Sequence, residues 1–251
     1  MKIFYFTSTG NNLEIAKQFN ADLFSIPKLL KTKQLNYKAK SIGFIFPCYF
    51  FVTPRIVVEF LEKAKFQADY FFAIISYGSF SAGAIHDFKK HAKNNGISVN
   101  YINEILMIDN YLPVFEISKE IIKKNNLDIK DKIESIQKDI TNKSNIIYNK
   151  GIFNRFLSSL FYIFYKSKWD IVDKNFYVDS NCNNCGTCIK VCPVDNIIID
   201  KSPEFKHKCH GCFACIHNCP QNALHDRREK SSIRYRNKNI TLKEIIDSNN
   251  K

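Results

Sequence analysis

Through the first half of the chain, apolar residues come in short unbroken runs, each followed by a stretch in which they recur at helical spacing. Residues 2–6, 21–26, 41–46, 70–75 and 99–108 are the runs. They lack the polar alternation of a strand with one wet face, so they predict strands buried on both sides. Between them, residues 13–19 have helical spacing, Pro54 stands where a first helical residue often does, and Val57, Val58, Phe60, Leu61 and Ala64 form an apolar face. A further helix over 84–93 is closed by Asn95-Gly96. Strands alternating with helices predict an α/β domain with a mainly parallel sheet covered on both faces, whose ligands bind at the carboxyl ends of the strands.

The pattern then changes. Residues 117–143 form a charged helical segment interrupted near Asn125-Asn126, and 151–168 place Phe153, Phe156, Leu157, Leu160, Phe161 and Phe164 at helical spacing. This last stretch fits either a membrane-surface helix or a linker helix with its aromatic face between two domains. Being internal and short, it is read as the linker, and peripheral membrane contact is not expected. The tail, 232–251, holds a short helix capped by Thr241.

Eight of nine cysteines fall in two copies of C-x2-C-x2-C-x3-C-P: Cys182, Cys185, Cys188 and Cys192 before Pro193, and Cys209, Cys212, Cys215 and Cys219 before Pro220. Each member of the second copy lies 27 residues after its counterpart. Zinc sites take their ligands as two separated pairs and have little use for evenly spaced triplets followed by Cys-Pro. Disulfides need an oxidising compartment, and residues 1–6 do not open a secretory signal. The spacing resembles that of bacterial ferredoxins holding two 4Fe-4S clusters, in which the fourth cysteine of each run ligates the other cluster. That resemblance implies Cys182, Cys185, Cys188 and Cys219 on one cluster, and Cys209, Cys212, Cys215 and Cys192 on the other.

Net charge changes the picture little. The chain carries +13, but residues 170–230 balance eight Lys/Arg against eight Asp/Glu, so the excess lies outside the cysteine block. No Arg-rich strip or aromatic RNA motif accompanies it, so nucleic acid is not an expected partner. A basic surface suits an acidic redox partner protein. No apolar run reaches the roughly 20 residues of a membrane span, and a cytoplasmic location is the expectation. The six histidines make no metal pattern, and His210 and His217, beside cluster cysteines, fit either donors to sulfur or solvated side chains, the second being the expectation.

The loop after the first strand, Thr7-Ser8-Thr9-Gly10-Asn11-Asn12, lacks the G-x-G-x-x-G of dinucleotide sites and the G-K-[ST] of a P-loop. It interleaves hydroxyls and amides with one glycine at a helix start, where a phosphate is held without Lys or Arg; an N-cap alone would read the same. The loop resembles the FMN-phosphate loop of flavodoxins, with Asn12 where a threonine is usual. The resemblance implies a second flavin loop with Pro47, Tyr49 and Phe50, and a third with Tyr77, Gly78 and Ser79, whose aromatics would stack on the ring. Cys48, the ninth cysteine, reads as a small buried side chain.

Together the halves resemble the flavodoxin/ferredoxin fusion family, down to Asp109-Asn110-Tyr111 and the tail Arg234-Tyr235-Arg236-Asn237. Ser79 stands where that family often has a glycine. The resemblance implies a doubly wound, parallel, five-stranded flavodoxin-like sheet over 1–150, a linker at 151–172, a small α+β dicluster ferredoxin domain at 173–231 and a C-terminal tail. It implies FMN and two 4Fe-4S clusters as cofactors, and single-electron relay between them to partner redox proteins. Asn12 and Ser79 motivate a second expectation, a ferredoxin-type carrier whose flavodoxin-like domain has lost FMN and serves for docking. No nucleophile or acid–base constellation points to an enzyme with its own substrate.

Overall fold

The computed structural model describes residues 1–33, 35–124, 129–148 and 172–250. In chain order the larger half comprises β1 (Lys2–Tyr5), α1 (Asn11–Lys17), β2 (Asp22–Ser25), α2 (Ile26–Thr32), β3 (Asn36–Lys38), β4 (Ser41–Pro47), α3 (Arg55–Lys63), β5 (Lys65–Gln67), β6 (Tyr70–Tyr77), α4 (Ala84–Asn94), β7 (Tyr101–Leu106), α5 (Ile117–Lys123) and α6 (Lys130–Thr141). The main sheet runs β2-β1-β4-β6-β7, with every adjacent pair parallel. This is the doubly wound flavodoxin-like order, in which the direction of winding reverses between β1 and its neighbour β4.

Side chains alternate across the sheet, and each face has its own core. Ile3, Ile45, Phe72 and Ile74 pack with Leu13, Ile15 and Ala16 of α1 and Ile133, Ile136 and Ile140 of α6. Phe4, Phe44, Phe46 and Ile75 pack with helices α2, α3 and α4 on the other side. Seven of the eight residues of β6 are buried, which is why its sequence reads as one apolar run.

The five strands stand where the apolar runs place them, with the last run trimmed to Tyr101–Leu106. Helix α2 was not foreseen. It begins directly after β2, and Pro27 sits in its first turn, where the missing N–H costs nothing. Strands β3 and β5 pair with each other as a separate parallel ribbon. The charged segment divides into α5 and α6, and the aromatic stretch 151–168 lies outside the described residues.

The smaller half opens with a 3-10 turn, Val172–Asn175, and holds β8 (Phe176–Val178), α7 (Thr187–Lys190), β9 (Ile197–Ile199), β10 (Pro203–Phe205), α8 (Ala214–His217) and β11 (Leu224–Asp226). Strands β8 and β11 pair antiparallel, as do β9 and β10. The tail ends in α9 (Leu242–Asn249), started by a capping box between Thr241 and Glu244. Tyr235, Ile240 and Ile245 of the tail share one apolar cluster with Ile3 and Tyr5 of β1 and with Val191, Phe213 and Ile216 of the cysteine block. The tail thus mortars the halves together.

Candidate redox centre

The 27-residue repeat is present in the backbone as well as in the cysteines. Left-handed φ values recur at Asn184 and Gly211, at Gly186 and Phe213, and at Asp195 and Asn222, each pair at equivalent positions of the two copies. The left-handed residues Gly186 and Phe213 introduce the single turns α7 and α8, which carry the third cysteines, Cys188 and Cys215. Later in each copy, Cys192 Sγ accepts from the Asn196 N–H and Cys219 Sγ from the Ala223 N–H, both at 3.3 Å. A proline after each fourth cysteine sends the chain onward.

The eight thiols form two groups, each drawing one cysteine from the opposite run. Cys182, Cys185, Cys188 and Cys219 line one small cavity. The cysteines acting electrostatically on Cys215 are Cys209, Cys212 and Cys192, and more weakly Cys188. Burial, then neighbouring cysteines, push the Cys188 thiol up to about 11; burial and Cys192 push Cys212 up to about 12. Cys185, the most exposed, is lowered by the Thr187 hydroxyl. Thiols crowded this way ionise together only around cationic centres. Among the described residues no three His, Cys, Asp or Glu side chains converge on a single-ion site. Four cysteines lining one cavity suit a cluster held by thiolates.

A larger cavity opens at the carboxyl ends of β1, β4 and β6. From the first loop, Thr7, Ser8, Thr9, Asn11 and Asn12 line it. Gly10 does not: it takes φ +99° and turns its Cα to the tail, where an added Cβ would stand 2.9 Å from that of Ile240. Its N–H is spent on Thr7 Oγ1 at 3.0 Å. Thr9 Oγ1 accepts from Asn110 Nδ2 (2.7 Å), and Asn11 Oδ1 from the Tyr235 hydroxyl (2.8 Å). Asn12 Oδ1 is buried with no partner. The hydroxyl and amide residues Thr7, Ser8, Thr9, Asn11 and Asn12 along this wall fit a site built for a polar ligand.

The second loop contributes Pro47, Cys48, Tyr49 and Phe50. Paired backbone bonds between Tyr49 and Val52 close a tight turn with Phe50 and Phe51 at φ 49° and 69°. Left-handed phenylalanines are strained, and this turn brings their rings to the cavity. The Tyr49 hydroxyl bonds Ser8 Oγ at 3.0 Å. Cys48 is half-buried on the same wall, its thiol 3.7 Å from the Ser81 carbonyl and pushed far up by burial. From the third loop come Tyr77, Gly78 and Ser79. Ser79 hydrogen-bonds Asp109, whose carboxyl is raised chiefly by burial. Lys124, paired with Glu120 at 2.8 Å, holds the carbonyls of Gly78 and Met107.

The remaining wall comes from the cysteine block, which the sequence reading did not foresee. Gly211, Cys212 and Phe213 line this cavity together with the three loops. Phe50, Tyr111 and Phe213 meet edge to face at ring separations of 5.1 and 5.4 Å, and Phe176 meets Phe213 at 5.4 Å. His217, expected in solvent, is 3 % exposed. Its Nε2 lies 2.8 Å from the Asn110 carbonyl and its Nδ1 accepts from the Tyr235 N–H, so it is lodged between the halves.

The family model of the 4Fe-4S dicluster domain matches residues 174–220, a range that contains both cysteine runs. The C-terminal part is therefore similar to iron–sulfur domains of the electron-transfer class. The comparison with curated proteins finds no match. Among the described residues, no helix is long and apolar enough to cross a membrane.

Proposed function

We propose that this chain passes electrons between an FMN in the larger cavity and two 4Fe-4S clusters, and from them to a partner redox protein. Cys182, Cys185, Cys188 and Cys219 hold one cluster; Cys209, Cys212, Cys215 and Cys192 hold the other. The observation that carries this reading is that Cys212, flanked by Gly211 and Phe213, lies on the wall of the cavity formed by the flavodoxin-like loops. A flavin accepts electrons in pairs and releases them singly, and each cluster carries one.

The residues divide the work. The hydroxyl and amide loop 7–12 receives the phosphate end, while Tyr49, Phe50 and Tyr77 bound the space for the ring. Cys212 sets the second quartet beside that space, and the exposed Cys185 sets the first at the surface, where a partner docks. Backbone N–H groups on Cys192, Cys209 and Cys219 stabilise negative charge on sulfur and so tune the clusters. Thiolate-bound clusters suit the cytoplasm, and the site has the parts of a carrier instead of a substrate-converting enzyme.

The test is anaerobic purification and titration with FMN. About eight irons per chain are expected from two four-iron clusters, with one FMN bound and its fluorescence quenched. Photoreduction of that FMN should then bleach the cluster absorbance. Full iron content with no FMN binding would overturn the relay and leave the docking-module reading.

A further inference from the structure

The cavity's first loop is gripped from behind by three asparagines of the C-terminal half. The carbonyls of Thr7, Ser8 and Thr9 accept from Asn249 Nδ2 (3.3 Å), Asn218 Nδ2 (3.1 Å) and the Asn237 backbone N–H (2.8 Å). Asn218 and Asn249 are themselves buried, at 2 % and 0 % exposure. Asn249 is braced in turn by Lys31, whose Nζ reaches the Asn249 carbonyl at 2.7 Å and that of Cys192 at 3.3 Å.

In a trans peptide the N–H points opposite to the carbonyl it follows. Fixing three successive carbonyls toward the C-terminal half therefore fixes the N–H groups of Ser8, Thr9 and Gly10 away from it. Gly10 gives its N–H to Thr7. Among the described residues, the N–H groups of Ser8 and Thr9 meet no protein acceptor, although both residues are buried on the cavity wall. Buried backbone donors are almost always paired, so these two ask for an acceptor from a ligand. No Lys or Arg is among the described residues lining the cavity, so an anion there would be selected by directed neutral donors.

We propose that Asn218, Asn237 and Asn249 are positioning residues that shape loop 7–10 into a cradle for the phosphate monoester end of the cavity's ligand. This rests on the reading that the cavity takes FMN, and adds that the site is complete only with the C-terminal half docked. Ligand binding and that docking then favour one another by the same factor. Asn218 directly precedes Cys219, so one short segment serves both the cradle and the first cysteine quartet.

The test uses the full chain with its clusters, comparing the parent with Asn218→Ala/Asn249→Ala in anaerobic titrations with FMN and with riboflavin, which lacks the phosphate. Expected are a loss of FMN affinity on the order of tenfold, unchanged riboflavin affinity, and unchanged iron content and cluster absorbance. Equal FMN affinity in both proteins would overturn the cradle and leave the relay standing. A parallel loss for both flavins would overturn it too, since the amides would then act on the fold and not on the phosphate. If the parent binds neither flavin, the relay falls and the cradle with it. Should the double variant lose its clusters, Asn249→Ala alone, outside the cysteine runs, gives the same reading.

Discussion

The carboxyl group of Asp109 rests on the backbone of Gly78, filling the space that a side chain there would need. Two segments meet at this point, the loop after β6, held by Lys124 through the Gly78 carbonyl, and the loop after β7, and both line the cavity. In Gly78→Ala the new methyl displaces Asp109 into the cavity or pushes the loop off Lys124. Overpacking of this kind costs about 1–3 kcal/mol. We expect FMN affinity to fall at least tenfold while iron content stays at the parent value, as read by fluorescence quenching and iron assay. Unchanged affinity would mean that this wall is not part of the flavin site.

The two cysteine groups give a sharper test. Removing Cys219 should empty the group it shares with Cys182, Cys185 and Cys188, and removing Cys192 should empty the other. Cys219→Ser and Cys192→Ser should each keep about four irons per chain, the content of one cluster, with different low-temperature spectra. Because only the second group reaches the cavity, through Cys212, Cys192→Ser should also abolish bleaching of the remaining cluster by photoreduced FMN. Cys219→Ser should preserve it. The opposite result would reverse the order of the relay.

Much of this was legible in the chain, for physical reasons. Strands β4 and β6 announce themselves because a strand buried on both faces has no polar register to hide in. Helix α2 does not, because Ile26 extends the apolar run of β2 and Pro27 looks like a break. The cysteine repeat shows two runs, the crossed grouping came only from the resemblance to bacterial ferredoxins, and the same 27-residue offset sets Phe213 opposite Gly186. That both positions are left-handed is seen only in the backbone. What the sequence hides is which surfaces of the halves meet. His217 reads locally as a solvated residue beside a cysteine and Asn218 carries no signal, yet both are buried against loops about a hundred or more residues away. Such contacts leave no trace in local periodicity.

Gly10 tests the seam itself. Its φ of +99° is one that L side chains rarely adopt, and its Cα faces Ile240 and Asn237 of the tail. Gly10→Ala combines backbone strain with a steric conflict, together about 2–4 kcal/mol. The expected readout is a lower denaturation midpoint with faster proteolysis after residue 231, as the tail loses its seat. A midpoint equal to the parent's would show that the tail adjusts freely and is not the mortar described above.

The capping box of α9 makes a pH-dependent contribution to the same seam. Glu244 accepts from Lys17 at 2.8 Å and from the Thr241 N–H and hydroxyl, also at 2.8 Å, and these bonds hold its carboxyl down to about 2 against an ordinary 4.5. A carboxyl lowered on folding stabilises fully above its unfolded value and loses that contribution as pH falls toward the folded one. The group is largely solvated, so the effect at neutral pH is small, at most about 1 kcal/mol. Glu244→Gln should therefore melt a few degrees below the parent at pH 7, and the gap should narrow only as pH drops below about 4.5. Measuring the difference between the two proteins cancels the acid sensitivity they share, including that of the clusters. A gap independent of pH would show that the Glu244 charge is not what seats α9 against Lys17.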